Sequence, residues 1–72
     1  MNVSIHTDYI TLAGLLKLSG LCGTGGESKE AVMSGKVLVN GEVCVQRGRK
    51  IREGDTVSAF GEKISVCREM GI

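Results

Sequence analysis

The chain has 72 residues, 42% of them apolar, with eleven glycines, one tyrosine, one phenylalanine, no proline and no tryptophan. A chain of this length buries only about 60% of its unfolded surface, so it is predicted to form one small domain without a deep catalytic cavity. The net charge of +1 favours no class of partner, but residues 36–52 alone sum to +4. This local excess of positive charge indicates where a binding surface should be sought.

The first part of the chain predicts a short edge strand at Val3–Ile5 and then a helix. Thr11 is a suitable N-cap, because its hydroxyl can accept a hydrogen bond from a free main-chain N–H, and Gly20 is predicted to end the helix. Leucines that recur at helical spacing are predicted to form its buried face: Leu12, Leu15, Leu16 and Leu18.

A second helix is predicted after Thr24, since Thr24 and Glu27 have the spacing of a capping box. Its buried stripe would consist of small residues: Ser28, Ala31 and Val32. Gly25 and Gly26 weaken the first helical turn by roughly 1 kcal/mol each relative to alanine. Two explanations are open: close packing against the first helix, or close approach of a phosphate chain to exposed N–H groups.

The stretch from Gly35 to Glu42 predicts a helix end, a strand and a tight turn. Gly35 accepts the left-handed backbone conformation that ends a helix. Lys36–Val39 is rich in β-branched residues, and Asn40-Gly41 is typical of a two-residue hairpin turn. Glu42–Val45 is predicted to return as the paired strand.

The C-terminal part alternates apolar and polar residues, which predicts strands at Thr56–Phe60 and Lys63–Cys67, with Phe60 in the core and a turn at Gly61-Glu62. Together the patterns predict an α+β domain in which two helices pack on a small, curved, mostly antiparallel sheet. We expect one domain over residues 1–72, with a core from about residue 10 to 67 and a frayed tail at 68–72.

Catalytic and metal-binding patterns are weak. His6 is the single histidine, and a loop histidine without a partner is more typical of an ordinary surface residue than of a general base, so no enzyme is predicted. Cys22, Cys44 and Cys67 contain no CxxC pair, which favours small buried hydrophobic residues over a zinc site; no cofactor is predicted. Without a secretory signal or a long apolar run, a cytoplasmic protein with no membrane contact is expected.

The dense group of basic residues follows the predicted hairpin: Arg47, Arg49, Lys50 and Arg52. Arginine side chains match phosphate oxygens bidentately, and Gly48 would let the main chain come close to a nucleic acid. The alternative is a solvated loop whose charges pair with neighbouring acids: Glu53, Asp55 or Glu62. The spacing alone favours neither. Lys29 and Lys36, flanking the second helix, would extend a nucleic-acid surface.

Four pieces of sequence form a linked pattern: Thr24-Gly-Gly-Glu-Ser-Lys29, Gly35-Lys-Val-Leu-Val-Asn-Gly41, Arg47-Gly-Arg-Lys-Ile51 and Gly54-Asp-Thr-Val57. In this order and spacing they resemble the small RNA-binding module named after ribosomal protein S4, over about residues 10–66. The chain looks most like the free-standing bacterial S4-domain proteins of similar size. In larger relatives the module is attached to pseudouridine synthases, tyrosyl-tRNA synthetases or a heat-shock ribosome-binding protein.

The resemblance implies RNA-facing positions at the start of the second helix and after the hairpin. Lys29 matches a position that is usually basic, and the basic stretch matches at Arg47, Arg49 and Lys50. Many members have Ser-Arg where this chain has Thr24-Gly25, so one phosphate-binding arginine is missing.

We therefore expect a monomer that binds structured RNA, such as ribosomal RNA or tRNA, through phosphates and helical shape, in association with a ribosome or another ribonucleoprotein. Tyr9 and Phe60 do not form an aromatic platform for stacked bases. Two other interpretations stay open: a protein-interaction adaptor that uses the same basic surface, and a subunit that lends RNA affinity to a separate enzyme.

Overall fold

The computed structural model describes residues 1–69, and the predicted α+β fold is confirmed: two helices accompany a five-stranded sheet and a separate two-stranded ladder. The elements in chain order are β1 (Asn2–Ile5), β2 (Ile10–Thr11), α1 (Leu12–Leu18), α2 (Gly25–Met33), β3 (Val37–Val39), β4 (Glu42–Val43), β5 (Lys50–Ile51), β6 (Thr56–Ala59) and β7 (Glu62–Arg68).

The five-stranded sheet has the order β1-β7-β6-β3-β4. Its neighbours are antiparallel except at one edge, where β1 runs parallel to β7 and Ile5 lies opposite Arg68. The sheet thus joins the two ends of the described chain. The strand within the basic stretch, β5, does not join this sheet but pairs antiparallel with β2, so that Ile10 lies opposite Ile51.

One apolar core lies between the helices and the sheets, and its largest fully buried apolar side chains are Leu12, Leu15, Leu16, Val32, Val37, Val39, Ile51, Val57 and Ile64. The prediction that Leu18 belongs to this core is wrong, because its side chain is 59% exposed. At about 100° per residue, Leu18 lies roughly 115° from the centre of the buried face of α1. It therefore points along the flank of the helix.

Both predicted helix N-caps are confirmed. The Thr11 hydroxyl accepts a hydrogen bond from the Gly14 N–H at 3.1 Å, and the Thr24 hydroxyl accepts one from the Glu27 N–H at 3.2 Å. The Glu27 carboxylate, however, accepts from the Gly23 N–H at 3.0 Å, one residue before the usual capping-box partner.

Two turns of the same kind connect the antiparallel strands. At the predicted hairpin turn, Asn40 and Gly41 have φ values of 51° and 86°. The next hairpin turns at Phe60-Gly61, with φ values of 53° and 77°, and not at Gly61-Glu62 as predicted. Phe60 is therefore 54% exposed at the tip of a hairpin, and its predicted place in the core is wrong.

Several boundaries differ from the predicted ones. The strand predicted at Glu42–Val45 ends at Val43, although the Cys44 N–H still donates to the Val37 carbonyl at 3.0 Å. Cys22 and Cys44 are buried as predicted, but Cys67 is exposed because it lies on the outer face of β7.

Both predicted ends of the core also change. Ile5 is 3% exposed and belongs to the core, which therefore begins before residue 10. Arg68, predicted in the tail, belongs to β7, and the Glu69 N–H donates to the Ile5 carbonyl at 2.9 Å. Residues 70–72 of the predicted tail lie outside the described residues.

Gly35 provides a test of the junction between α2 and β3. Its φ of 76° is left-handed, while a side chain there would meet only Val43 at 3.7 Å, so the cost of substitution is conformational and not steric. We expect Gly35→Ala to lower the free energy of unfolding by about 1–2 kcal/mol. Gly25→Ala is the matched control, since no atom lies near its position and alanine favours the helix. Urea denaturation measures the free energy of unfolding of both variants. Equal changes in the two variants would contradict the assignment of Gly35 as the residue that ends α2.

Candidate nucleic-acid interface

The basic stretch, residues 47–52 and called here the basic segment, is held against the N-terminus of α1. The first N–H groups of a helix have no partner within the helix. Here the Leu12 N–H donates to the Arg49 carbonyl at 2.9 Å, and the Ala13 N–H donates to the Arg47 carbonyl at 3.0 Å. These hydrogen bonds use main-chain atoms only, so the main chain is fixed while the basic side chains remain available.

The ladder between β2 and β5 fixes the segment at its centre. Ile51 is fully buried, whereas its neighbours Lys50 and Arg52 are exposed, as expected for alternating residues of a strand over a core. A turn closed by the Arg49 N–H and the Gln46 carbonyl, 3.1 Å apart, leads into this strand. Burial of one isoleucine thus places the flanking cations at the surface.

A cluster of polar residues fixes the end of the segment. The Arg52 N–H donates to the Asp55 carboxylate at 2.8 Å, and the Asn40 side chain donates to the same carboxylate at 3.2 Å. The Asn40 side-chain oxygen in turn accepts from the Thr56 N–H at 2.9 Å. Asn40, predicted as a turn residue, and Asp55 therefore also join the β3–β4 turn to the basic segment.

The four cations of the basic segment have no carboxylate within 4.0 Å among residues 1–69, where the two ion pairs are His6–Glu69 and Arg68–Asp8. The alternative in which the segment's charges pair with Glu53, Asp55 or Glu62 therefore finds no support in these residues. The first turn of α1 carries no acidic residue, and the positive end of its helix dipole lies beside the segment. The positive charges of the four cations and of the helix dipole therefore reinforce one another at this surface.

Tyr9 is a member of this surface that the sequence interpretation missed. The Lys50 ammonium lies 5.0 Å from the centre of the Tyr9 ring, within cation–π range, and the tyrosine is 41% exposed. Tyr9 directly precedes β2, whose partner β5 contains Lys50. Pairing between two two-residue strands 40 residues apart leaves no periodic signal, so the sequence offered no means of finding this contact.

The other two predicted site residues lie elsewhere. Lys29 is exposed on α2, whereas α1 is the helix that packs against β5. Lys36 directly precedes β3, whose residue Val37 pairs with Ala59, while the basic segment reaches the opposite end of β3 at Asn40. At about 3.3 Å per residue these ends are roughly 13 Å apart. The structure thus groups four of the six predicted residues and separates Lys29 and Lys36 from them.

The glycines at the start of α2 are not explained by close helix packing. A side chain at Gly25 would meet nothing within 4 Å, and one at Gly26 would meet only the Thr24 hydroxyl at 3.8 Å. That alternative is therefore wrong, and the first turn of α2 is open to solvent.

No group of three or more potential metal-ligating side chains comes together within residues 1–69. In the same part of the chain, no helix has both the length and the apolar composition needed to cross a membrane.

Comparison with known proteins identifies relatives over most of the chain. The sequence model of a family described as "S4 domain" matches residues 3–67. A Bacillus subtilis (strain 168) protein named "Probable ribosome maturation protein RlbA" is 42% identical over 59 residues, which cover 82% of this chain and 83% of that protein. An Escherichia coli (strain K12) protein named "Putative RNA-binding protein YbcJ" is 38% identical over 58 residues, covering 81% and 83%.

The Asp55 carboxylate provides a test of how the segment is held. Removing it in Asp55→Ala leaves the Arg52 N–H and the Asn40 amide without their acceptor, so we expect a loss of about 1–2 kcal/mol in unfolding free energy. Hydrogen exchange at the Arg52 amide should also accelerate. Asp8→Ala is the matched control, since it removes only an exposed ion pair with Arg68 and should change stability by less than about 0.5 kcal/mol. Unchanged protection of Arg52 would contradict the role given to Asp55.

Proposed function

The chain belongs to the S4 domain family, and on this basis we propose that it binds structured RNA through the phosphate backbone. The observation that carries the proposal is the basic segment: four exposed cations without acidic partners among residues 1–69, on a main chain held by α1. Names of similar proteins support it, since one is described as RNA-binding and another as a ribosome maturation protein.

The fixed main chain of the basic segment favours RNA binding. An RNA-binding loop that is flexible before binding loses conformational entropy when it becomes fixed on its ligand. Here the main chain is already held at the carbonyls of Arg47 and Arg49, so ordering on binding is confined to side chains. Arginine forks can then contact phosphate oxygens bidentately, with Lys50 adding a more flexible point charge. Tyr9 beside Lys50 offers an aromatic edge to a sugar or a base.

The proposed surface continues beyond the segment. Lys29 and the open first turn of α2, where Gly25 and Gly26 leave the main chain accessible, would provide a second group of phosphate contacts. Because α1 packs against both α2 and β5, an RNA helix lying along α1 would meet both groups. This arrangement recognises the spacing of phosphates and hence the shape of a helix, with little reading of sequence.

We propose ribosomal RNA as the target class, in the cytoplasm, with tRNA as the other candidate. The support for ribosomal RNA is the name of the Bacillus subtilis relative. The role we propose is binding alone: any chemistry on the RNA would be supplied by another protein of the same ribonucleoprotein particle.

The proposal is tested by the salt dependence of RNA binding. Each phosphate contact contributes roughly 0.9 to the slope of log affinity against log salt, so the four cations should give a slope of roughly −3 to −4. Replacing Arg47 and Arg49 together by alanine should reduce the slope by about 2 and weaken binding to all structured RNAs by a similar factor. Fluorescence anisotropy with a labelled RNA stem-loop measures both quantities.

Arg68→Ala is the control for this experiment, because Arg68 lies on β7, outside the proposed surface, and already pairs with the Asp8 carboxylate. It should leave the slope unchanged. The double variant keeps both main-chain carbonyls that hold α1, so circular dichroism should show an intact fold. Equal slopes for wild type and double variant would remove the segment from the RNA surface. A wild type that binds no structured RNA at low salt would instead favour the adaptor function.

A further inference from the structure

Phe60 has an unusual conformation for an aromatic residue. It occupies the first position of a two-residue hairpin turn with φ of 53°, the position that Asn40 occupies in the preceding hairpin with φ of 51°. Asparagine and glycine accept this conformation readily, whereas for a bulky side chain it is a genuine outlier. The side chain is also 54% exposed, so core packing does not account for it. Strain of this kind is concentrated at functional sites, so the surroundings of Phe60 are a candidate binding site.

Phe60 lies between two neighbouring cavities. The first, called here the α2 pocket, has a volume of about 250 Å³ and lies between α2, the α1–α2 loop and the β6–β7 turn. Its apolar lining includes Leu21 and Ala31, and its acidic lining is Glu27 and Glu30. This volume is below the range of about 300–1,000 Å³ that is typical of drug-sized ligands, so it suits one small flat group.

The second cavity, called here the hairpin groove, lies over β3 and the β6–β7 hairpin and has a volume of about 390 Å³. It shares Phe60 and Lys36 with the α2 pocket and adds Lys63 and Glu62. The two cavities therefore combine one aromatic ring with carboxylates and ammonium groups, and each cavity has both kinds of charge in its lining.

The charged groups are available for a ligand. Lys36, Lys63 and Glu30 have no ion-pair partner within 4.0 Å among residues 1–69. The Glu27 carboxylate is fixed by the Gly23 N–H, whereas no hydrogen bond within residues 1–69 holds that of Glu30. Glu30 is therefore the carboxylate best placed to accept hydrogen bonds from a bound group.

We propose that the α2 pocket and the hairpin groove together bind one unpaired nucleotide of the RNA, with guanosine preferred. The base stacks on Phe60, its Watson–Crick edge donates hydrogen bonds to Glu30, and its phosphate lies beside Lys36. Single-stranded bases splayed out of a helix are commonly recognised in this way, by aromatic stacking and edge hydrogen bonds. The inference rests on the proposed RNA-binding function. It adds a base-specific contact to a mode of binding that is otherwise based on phosphates and shape.

The preference for guanosine follows from the carboxylate, which accepts hydrogen bonds and donates none. Guanine presents two adjacent donors, N1–H and the N2 amino group, which match the two carboxylate oxygens. Cytosine and adenine each present one amino group, and uracil presents one N–H between two carbonyl oxygens that repel a carboxylate. The expected order of affinity is therefore guanosine first, cytidine and adenosine next, and uridine last.

The nucleotide site lies at the opposite end of α1 from the basic segment. The basic segment contacts the N-terminus of α1, whereas Leu21, just after the C-terminus of α1, lines the pocket. Seven residues of helix span about 10 Å. A suitable RNA therefore has an unpaired nucleotide on the order of 10–15 Å from the phosphates that the segment contacts.

A basic protein segment is the competing occupant, since Glu27, Glu30 and Glu62 would attract an arginine. Lys36 and Lys63 oppose it, because they border the same aromatic ring. For a nucleotide these lysines face a phosphate instead, so all three kinds of side chain at the site have a partner.

The test is an NMR titration of the isotope-labelled protein with guanosine 5′-monophosphate and, separately, uridine 5′-monophosphate. We expect shifts of amides around Phe60, Ala31 and Lys36, and an affinity for the guanosine nucleotide at least about fivefold higher, the smallest ratio a bidentate contact is expected to give. Phe60→Asn should abolish the shifts while keeping the turn, and Phe60→Tyr should retain them. Glu30→Gln should remove the preference for guanosine, whereas the matched control Glu42→Gln, on the edge strand β4, should not.

Several outcomes would overturn the inference: equal affinities for the two nucleotides, absence of shifts at the pocket, or a preference that survives Glu30→Gln. Shifts at the pocket caused by N-acetyl-arginine amide and not by the guanosine nucleotide would identify a basic protein segment as the occupant. The variant with Arg47 and Arg49 replaced should bind the guanosine nucleotide like wild type. Failure of the nucleotide site is thus separate from failure of the basic segment, which the salt titration with a stem-loop measures.

Discussion

Two main-chain hydrogen bonds hold the basic segment against α1: those from the Leu12 and Ala13 N–H groups to the carbonyls of Arg49 and Arg47. They satisfy helix donors that have no partner within α1, and they fix a segment that is also held by a two-residue strand and by the Arg52–Asp55 hydrogen bond. Since only main-chain atoms take part, stability depends on the path of the segment, while the RNA affinity that we propose depends on its side chains. The two properties can therefore vary separately at the same residues.

The polar cluster of Asn40, Asp55 and Thr56 connects the basic segment to the five-stranded sheet. Asn40 adopts a left-handed conformation in its turn and also bridges to Asp55 and Thr56, so one side chain has both a conformational and a connecting role. The Asp55 carboxylate accepts from the Arg52 N–H and is thereby engaged with the main chain. An acidic residue three positions after the end of the segment thus contributes to its position.

The two hairpins have the same turn geometry but very different side chains at the first turn position. Asn40 relieves the conformational cost and stabilises the end of the sheet near the basic segment. Phe60 accepts the cost and presents an aromatic ring beside Lys36 and Glu30 at the other end. The turn at Asn40 therefore orders the end of the sheet near the basic segment, while the turn at Phe60 exposes an aromatic ring at the other end.

The sequence by itself determined the local features, because caps and turns depend on residues only a few positions apart. Both threonine caps, the glycine that ends α2, the Asn40-Gly41 turn and the α+β class followed from it. Contacts between distant residues could not be predicted, since pairing of β2 with β5, or of Tyr9 with Lys50, leaves no periodic pattern. The alternation in Thr56–Phe60 even placed Phe60 in the core, because alternation does not show where a strand ends. Tertiary structure alone decided that the cations at 47–52 lie on α1 while Lys36 lies beside Phe60, since strand pairing sets which ends of the elements meet.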